Sequence, residues 1–334
     1  MAGLEIIDGH THLLRSKEHG QELYSYFLNR SAASGHAAAP LAYATVEEAQ
    51  ALMRETGVVH TNFLMFTWSG RYYRHGQYTL PDEPKARAKA DGELRERIVQ
   101  RVIGNNEWAV GAVQQHKNIS FFAGLDPVLM DERTMLREAE DKLRRGALGL
   151  KIVPVDLDIR GDDRRLWPLY DYCQAKGVAL LTQVGARPGT QSRPAYFEDA
   201  LRQHPKITLI FAHMGHNPVF GEGADAEVAD LMSRYPNTYT DVSLRFPEVT
   251  HGHVTPAAMT AHLRKLGTER VFYGSNFPFA ETAHPDARGT VQVLGFQATE
   301  TRASLEVLKT LPLTSAEREN IAAKNFRRVL RMKG

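Results

Sequence analysis

Leu4-Glu5-Ile6-Ile7-Asp8-Gly9-His10-Thr11-His12 is the stretch on which the reading of this chain turns. A short apolar run of strand length ends there in two histidines spaced i, i+2. Successive side chains on a strand point to opposite faces, so this spacing sends both imidazoles to one side at the strand's carboxyl end. Two convergent imidazole nitrogens are half of a divalent-metal site. With 14 histidines in the chain such a pair also arises by chance. Its weight comes from position, at the end of the first expected strand, where Asp8 and Gly9 allow a tight exit.

Outward from this segment, further strands are expected at Val58 to Met65, Ile119 to Leu125, Leu148 to Val153, Ala179 to Gln183, Thr208 to Ala212, Thr238 to Val242 and Arg270 to Gly274, after Leu4 to Asp8. Crossover helices fit between them, among them Asp131 to Arg145, Leu166 to Lys176, Pro194 to Gln203 and Pro256 to Leu266. Strand, helix and strand in repeated order imply a parallel sheet. Eight such units closing on themselves give an α/β fold, a (β/α)8 TIM barrel, as one domain over residues 1–334. The segments at about 15–57 and 67–116 exceed what one crossover needs, so they are expected as insertions over the carboxyl-terminal face. Within the second, Trp68-Ser69-Gly70-Arg71-Tyr72-Tyr73-Arg74-His75 mixes rings with guanidiniums. That suits a lid over an anionic or aromatic ligand, or equally a solvated surface loop.

Composition narrows the class. At 334 residues, 43% hydrophobic and 24% charged, the chain can bury a large core. Lysine plus arginine number 41 against 39 acidic residues. With no basic stripe or acidic tail, nothing points to nucleic acid or a membrane surface. The single Cys173 excludes an internal disulfide and a cysteine-rich zinc cluster. No apolar run reaches the roughly 18 residues of a membrane span, and no basic-then-apolar leader opens the sequence, so a cytoplasmic location is the expectation. The oligomeric state, including a homo-oligomer, is left open.

In barrels of this kind chemistry sits at the carboxyl ends of the strands. Strand one delivers His10 and His12 there, strand four Lys151, strand five Gln183, strand six His213, strand seven Asp241 and strand eight Asn276. Plainer roles compete with catalytic ones: His213 as a hydrogen-bonded strand-end histidine, Asp241 as a turn cap. Lys151, in an apolar strand, must be paired or lose its charge, which allows carboxylation or an anchor for a substrate carboxylate. Arg187, Arg193 and Arg245 lie just past strands five and seven. Their guanidiniums suit bidentate carboxylate recognition, or surface ion pairs.

Together with the first motif, Phe121-Phe122-Ala123-Gly124-Leu125-Asp126-Pro127, Gly149 to Val153, Ala212-His213-Met214-Gly215, Tyr273-Gly274-Ser275-Asn276-Phe277-Pro278 and Asn320-Ile321-Ala322-Ala323-Lys324-Asn325-Phe326 follow one order. In these segments the chain resembles the amidohydrolase superfamily, and within it the amidohydrolase-related group that includes aminocarboxymuconate-semialdehyde decarboxylase-like enzymes. The resemblance implies one divalent metal, zinc being the expected ion, held by His10, His12, a strand-five histidine and a strand-eight aspartate. It also implies a proton-handling or substrate-polarising role for His213. Two positions depart, because Gln183 and Asn276 stand where that histidine and aspartate are expected.

Amide oxygens are weaker donors, so metal occupancy should fall. Asn276 cannot accept a proton from a bound water, which leaves His213, or Asp241, as base. Lys151, Gln183, Arg187 and Arg245 are the expected substrate-binding residues. The first functional expectation is a hydrolase of an amide, lactone or ester bond in a small carboxylated molecule. The alternatives are a non-oxidative decarboxylase of a hydroxylated aromatic acid, and a non-catalytic or metal-free binding descendant.

Overall fold

The structure, a computed structural model, describes residues 3–20, 22, 43–185, 191–283 and 298–332. Its strands are β1 (Ile7–Thr11), β2 (His60–Leu64), β3 (Ile119–Gly124), β4 (Gly149–Ile152), β5 (Ala179–Thr182), β6 (Thr208–Phe211), β7 (Thr238–Asp241) and β8 (Val271–Phe272). They form one sheet in chain order. Gly9 N–H donates to Tyr273 O at 3.0 Å, and Asn276 N–H to His10 O at 2.8 Å, tying β1 to the chain leaving β8. The eight parallel strands therefore make a nearly closed barrel, as their order and spacing predict. Between them run α1 (Val46–Thr56), α2 (Ser69–Gln77), α3 (Pro84–Gln115), α4 (Glu132–Arg144), α5 (Trp167–Lys176), α6 (Glu198–Gln203), α7 (Gly223–Arg234), α8 (Pro256–Leu266) and α9 (Thr299–Thr310). None of the described helices is long and apolar enough to cross a membrane.

By contacts the chain divides into two compact units, Met1–Leu64 with Asp241–Gly334, and Met65–Thr240. In the first, β1 begins later than its apolar run and continues through His10 to Thr11. Its pairing with β2 shifts register between Asp8 and Thr11, a bulge that re-aims the side chains it contains. Gly9 sits in the bulge because a Cβ there would lie 2.8 Å from the Phe326 ring and 3.1 Å from Tyr273 O. Entry to α1 is set by a Thr45/Glu48 capping box, and its exit by Gly57 at φ 78°.

The amino end of α9 has no capping side chain of its own. Glu281 supplies one: its carboxylate accepts from the Glu300 N–H, the Thr301 N–H and the Thr301 hydroxyl. Burial pushes Glu281 up to about 7, and Glu300 adds to the rise. Because the folded value lies above the ordinary 4.5, this group's contribution to stability is full below that value and is lost as pH rises through about 7. The protein should lose up to about 1.4 kcal/mol per pH unit in that window through this one proton. Glu281→Gln should remove that part of the slope, measured as melting temperature from acid to mildly alkaline buffer. Parallel curves for the two proteins would contradict the assignment.

In the second unit, the expected loop at 68–75 is instead the helix α2. Residues 67–116 as a whole are largely α2 and the long α3 rather than irregular chain. The reason is tertiary. Asp156, beyond β4, accepts from the Gly70 N–H at 3.0 Å and the Arg71 N–H at 3.1 Å, satisfying amides that α2 leaves open. Gly70 is required there, since a Cβ would fall 2.0 Å from Asp156 O. The rings of residues 68–75 lie under guanidiniums, one local and two from α3: Arg71 over Trp68 at 4.4 Å, Arg95 over Tyr73 at 4.5 Å, Arg101 over Tyr72 at 4.3 Å.

Candidate active site

Four of the residues singled out by sequence meet in the first unit. The His10 and His12 rings lie edge to face, 5.2 Å between centroids, and both side chains are buried. His10 Nδ1 is 2.8 Å from Asp241 Oδ2. A carboxylate facing Nδ1 keeps the proton on that nitrogen and makes Nε2 the lone-pair nitrogen, the arrangement that orients metal-binding and catalytic imidazoles. Asp241 is thus the partner of His10 across the sheet, by way of a strand-end position that sequence alone left as base or turn cap.

His12 is held differently. Its Nδ1 lies 3.1 Å from Leu64 O and its Nε2 3.1 Å from the Asn276 side-chain amide. A carbonyl can only accept, so Nδ1 carries the proton, and a neutral ring then presents a lone pair at Nε2. The Asn276 atom facing Nε2 is Oδ1, so the contact is a hydrogen bond when Nε2 also carries a proton or when the amide turns to present its NH2. Asn276 adopts φ 62°, a left-handed backbone that Asn tolerates. Phe279 packs against the His12 ring at 4.8 Å. Asp8, under the pair, accepts from the Ser275 N–H at 2.9 Å and the His10 N–H at 3.4 Å. Burial raises its carboxyl to about 6.

Arg245, expected to bind substrate, also belongs to this unit. Its side chain is fully buried and pairs with Glu248 at 3.0 Å. Its charge is also felt by His262 on α8, whose pKa burial and Arg245 lower to about 4.

The second unit holds the strand-end residues of β4 to β6. Lys151 lies within β4 and is buried. Gln183 follows β5; its Nε2 donates to Val184 O at 3.2 Å, while its buried Oε1 has no hydrogen-bond partner among the described residues. His213 follows β6, buried, in a turn where His213, Met214, Gly215 and His216 all have positive φ. Each non-glycine residue there costs roughly 1–2 kcal/mol. Two contacts hold the turn. Met214 N–H donates to Thr240 Oγ1 at 3.1 Å, and Thr240 Oγ1 donates to Phe211 O at 2.6 Å. Strain kept in place by such anchors is a mark of functional segments. Arg193, exposed, pairs with Glu227 at 3.0 Å, its surface reading. Arg187 lies outside the described residues.

Sequence reasoning missed Ser243 and Gly274. Ser243 is fully buried and lies 3.1 Å from His10 Nδ1. Gly274 faces His10 so closely that a Cβ would come within 2.6 Å of the His10 Cβ. Asp241-Val242-Ser243 repeats the i, i+2 spacing of the histidine pair, which is the one signal that would have found the serine.

The amidohydrolase family pattern matches residues 7–332. The chain belongs to the amidohydrolase family. No curated protein sequence matches it. Among solved structures, it is similar to an uncharacterised TIM-barrel protein from Bordetella bronchiseptica, with 16% identity over 98% of this chain and 99% of that one and a TM-score of 0.66. It is similar to 5-carboxyvanillate decarboxylase from Sphingomonas paucimobilis, with 15% identity, 99% and 100% coverage and a TM-score of 0.61. A dihydroxybenzoic acid decarboxylase from Polaromonas sp. JS666, solved with bound manganese and 2-nitroresorcinol, shares 12% identity over 98% and 97%, with a TM-score of 0.63. At these identities the likeness is one of fold.

A divalent cation fits this amidohydrolase in a modest way. His10 has the carboxylate-backed geometry of a ligand, and a neutral His12 protonated at Nδ1 offers a second nitrogen at Nε2. Asn276 adds no charge, so the ion would be held more weakly than with a carboxylate at that position.

Proposed function

We propose that this amidohydrolase-family chain is an enzyme that decarboxylates a hydroxylated aromatic acid without oxidation. The observation that carries this reading is the amide of Asn276 facing His12. Hydrolysis needs a base to take a proton from attacking water; the amide at position 276 takes none at ordinary pH, which would leave that task to His213. Asp241 is engaged with His10, and Asp8 with backbone amides. Decarboxylation needs no such base. A proton is added to the ring carbon that bears the carboxylate, the bond to the carboxyl carbon breaks, carbon dioxide leaves, and the released pair restores the aromatic ring.

In this reading His213 delivers the proton, Lys151 and Gln183 contact the substrate, and His10 and His12 hold a divalent ion, zinc being the first choice. When bound, the ion would supply Lewis acidity toward the substrate's oxygens. His10 and His12 would orient it, and Asn276 would hold the His12 ring in register. The fold likeness to decarboxylases supports the reading as analogy only. Hydrolysis of a lactone, amide or ester is the second reading, favoured by the buried acceptor of Gln183, which suits a substrate donor.

A panel of hydroxybenzoates, lactones and amides separates the two. Decarboxylation predicts carbon dioxide release from the aromatic acids and no acid release from lactones or amides. His213→Ala should then cut turnover by about 100-fold or more, the usual worth of a positioned proton donor. Acid release without carbon dioxide would establish the hydrolase instead.

A further inference from the structure

We propose that Ser243 is a positioning residue that fixes the tautomer and direction of His10, and that it is not a nucleophile. Asp241 has two oxygens with different work. Oδ1 receives the Ser243 backbone N–H at 3.1 Å and the Ser243 hydroxyl as well. Oδ2 faces His10 Nδ1 at 2.8 Å. Because the Ser243 proton points to Asp241, the hydroxyl oxygen turns a lone pair toward His10 Nδ1, 3.1 Å away. The Nδ1–H of His10 is therefore shared between Asp241 Oδ2 and Ser243 Oγ, and neither oxygen can move without the other. Gly274 closes the opposite side, where a Cβ would lie 2.6 Å from the His10 Cβ and 3.4 Å from the Ser243 Cβ.

The same geometry removes the nucleophile reading that a buried Asp-His-Ser set invites. A serine activated by histidine must donate to the ring nitrogen opposite the one the carboxylate holds. Here serine and carboxylate share Nδ1, so the serine proton has no path to the Nε2 lone pair. Ser243 acts through His10, holding that lone pair in one direction for whatever the centre binds. The inference rests on the reading of His10 as a working member of the centre, but its readout does not depend on turnover.

The test is nitrogen-15 NMR of histidine-labelled protein, with His10→Asn used to assign the His10 signals, alongside Zn2+ binding measured by competition with a chromophoric chelator. The wild-type protein should show His10 as the Nδ1–H tautomer, with that proton slow to exchange. Ser243→Ala should speed the exchange at least tenfold and weaken Zn2+ about tenfold, within the range for lost partners of ligating histidines. Ser243→Thr, which keeps the hydroxyl, should hold both near wild type. An Nε2–H tautomer in the wild-type protein would overturn the proposal without any variant. So would unchanged exchange and Zn2+ affinity in Ser243→Ala, or equal loosening in the alanine and threonine variants. If the NMR result holds while every panel substrate is left intact, the functional reading fails and this one stands.

Discussion

Asn276→Asp should raise the affinity for Zn2+ or Mn2+ by at least about tenfold. The substitution keeps the side chain's shape and its left-handed backbone, which Asp accepts as readily as Asn, while placing a full charge beside the His12 lone pair. Two unit charges about 4 Å apart attract by about 4 kcal/mol at the effective dielectric near a protein surface, and about 1.4 kcal/mol is already tenfold. The same charge repels Asp8 and Asp241 when no cation is present, so the metal-free variant should melt below wild type and recover on adding metal. Calorimetric titration with each ion checks the affinity, and melting curves with and without ion check the coupling. Equal affinities in the two proteins would mean that position 276 does not face the ion, and the assignment of the strand-eight ligand position would fall.

The second large effect is expected from Asp241→Ala. His10 loses the acceptor at 2.8 Å, and Ser243 loses the oxygen that takes both its amide and its hydroxyl proton. Carboxylate partners of oriented histidines are worth roughly 10–100-fold, and about 10⁴-fold where the wrong tautomer results. Turnover should drop into that range. Leaving buried donors unsatisfied costs about 1–3 kcal/mol each, so the variant should also melt lower. Asp241→Asn separates the contributions: it preserves shape and part of the bonding but cannot hold Nδ1–H with a charge, so it should recover stability more than turnover. Wild-type turnover in Asp241→Ala would show that His10 is not oriented through this carboxylate.

Much of this was legible in the sequence because the signals were local. Short apolar segments at regular spacing gave the eight strands, and the His10-x-His12 spacing gave a pair of imidazoles that do meet. What escaped depended on burial and on long-range partners. Arg245 reads like a rim guanidinium, yet it is fully enclosed beside Glu248, and nothing local distinguishes a buried ion pair from an exposed one. Residues 68–75, dense in polar groups, read as loop because the carboxylate that starts their helix, Asp156, lies some eighty residues further along. Glu281 looks like an ordinary surface acid and instead caps α9 across a long stretch of chain. The serine behind His10 carries only the Asp241-x-Ser243 spacing as a local signal, and its meaning appears once the end of β7 meets His10.

The most direct measurement is the fate of a hydroxybenzoate carrying carbon-13 in its carboxyl group, incubated in deuterium oxide with the wild-type protein and with His10→Ala. The wild-type protein should release labelled carbon dioxide and leave one deuterium on the ring carbon that bore the carboxyl group, and His10→Ala should do neither at a measurable rate. Label that stays with the organic product, or release that His10→Ala leaves unchanged, would contradict a decarboxylation centre built on this histidine.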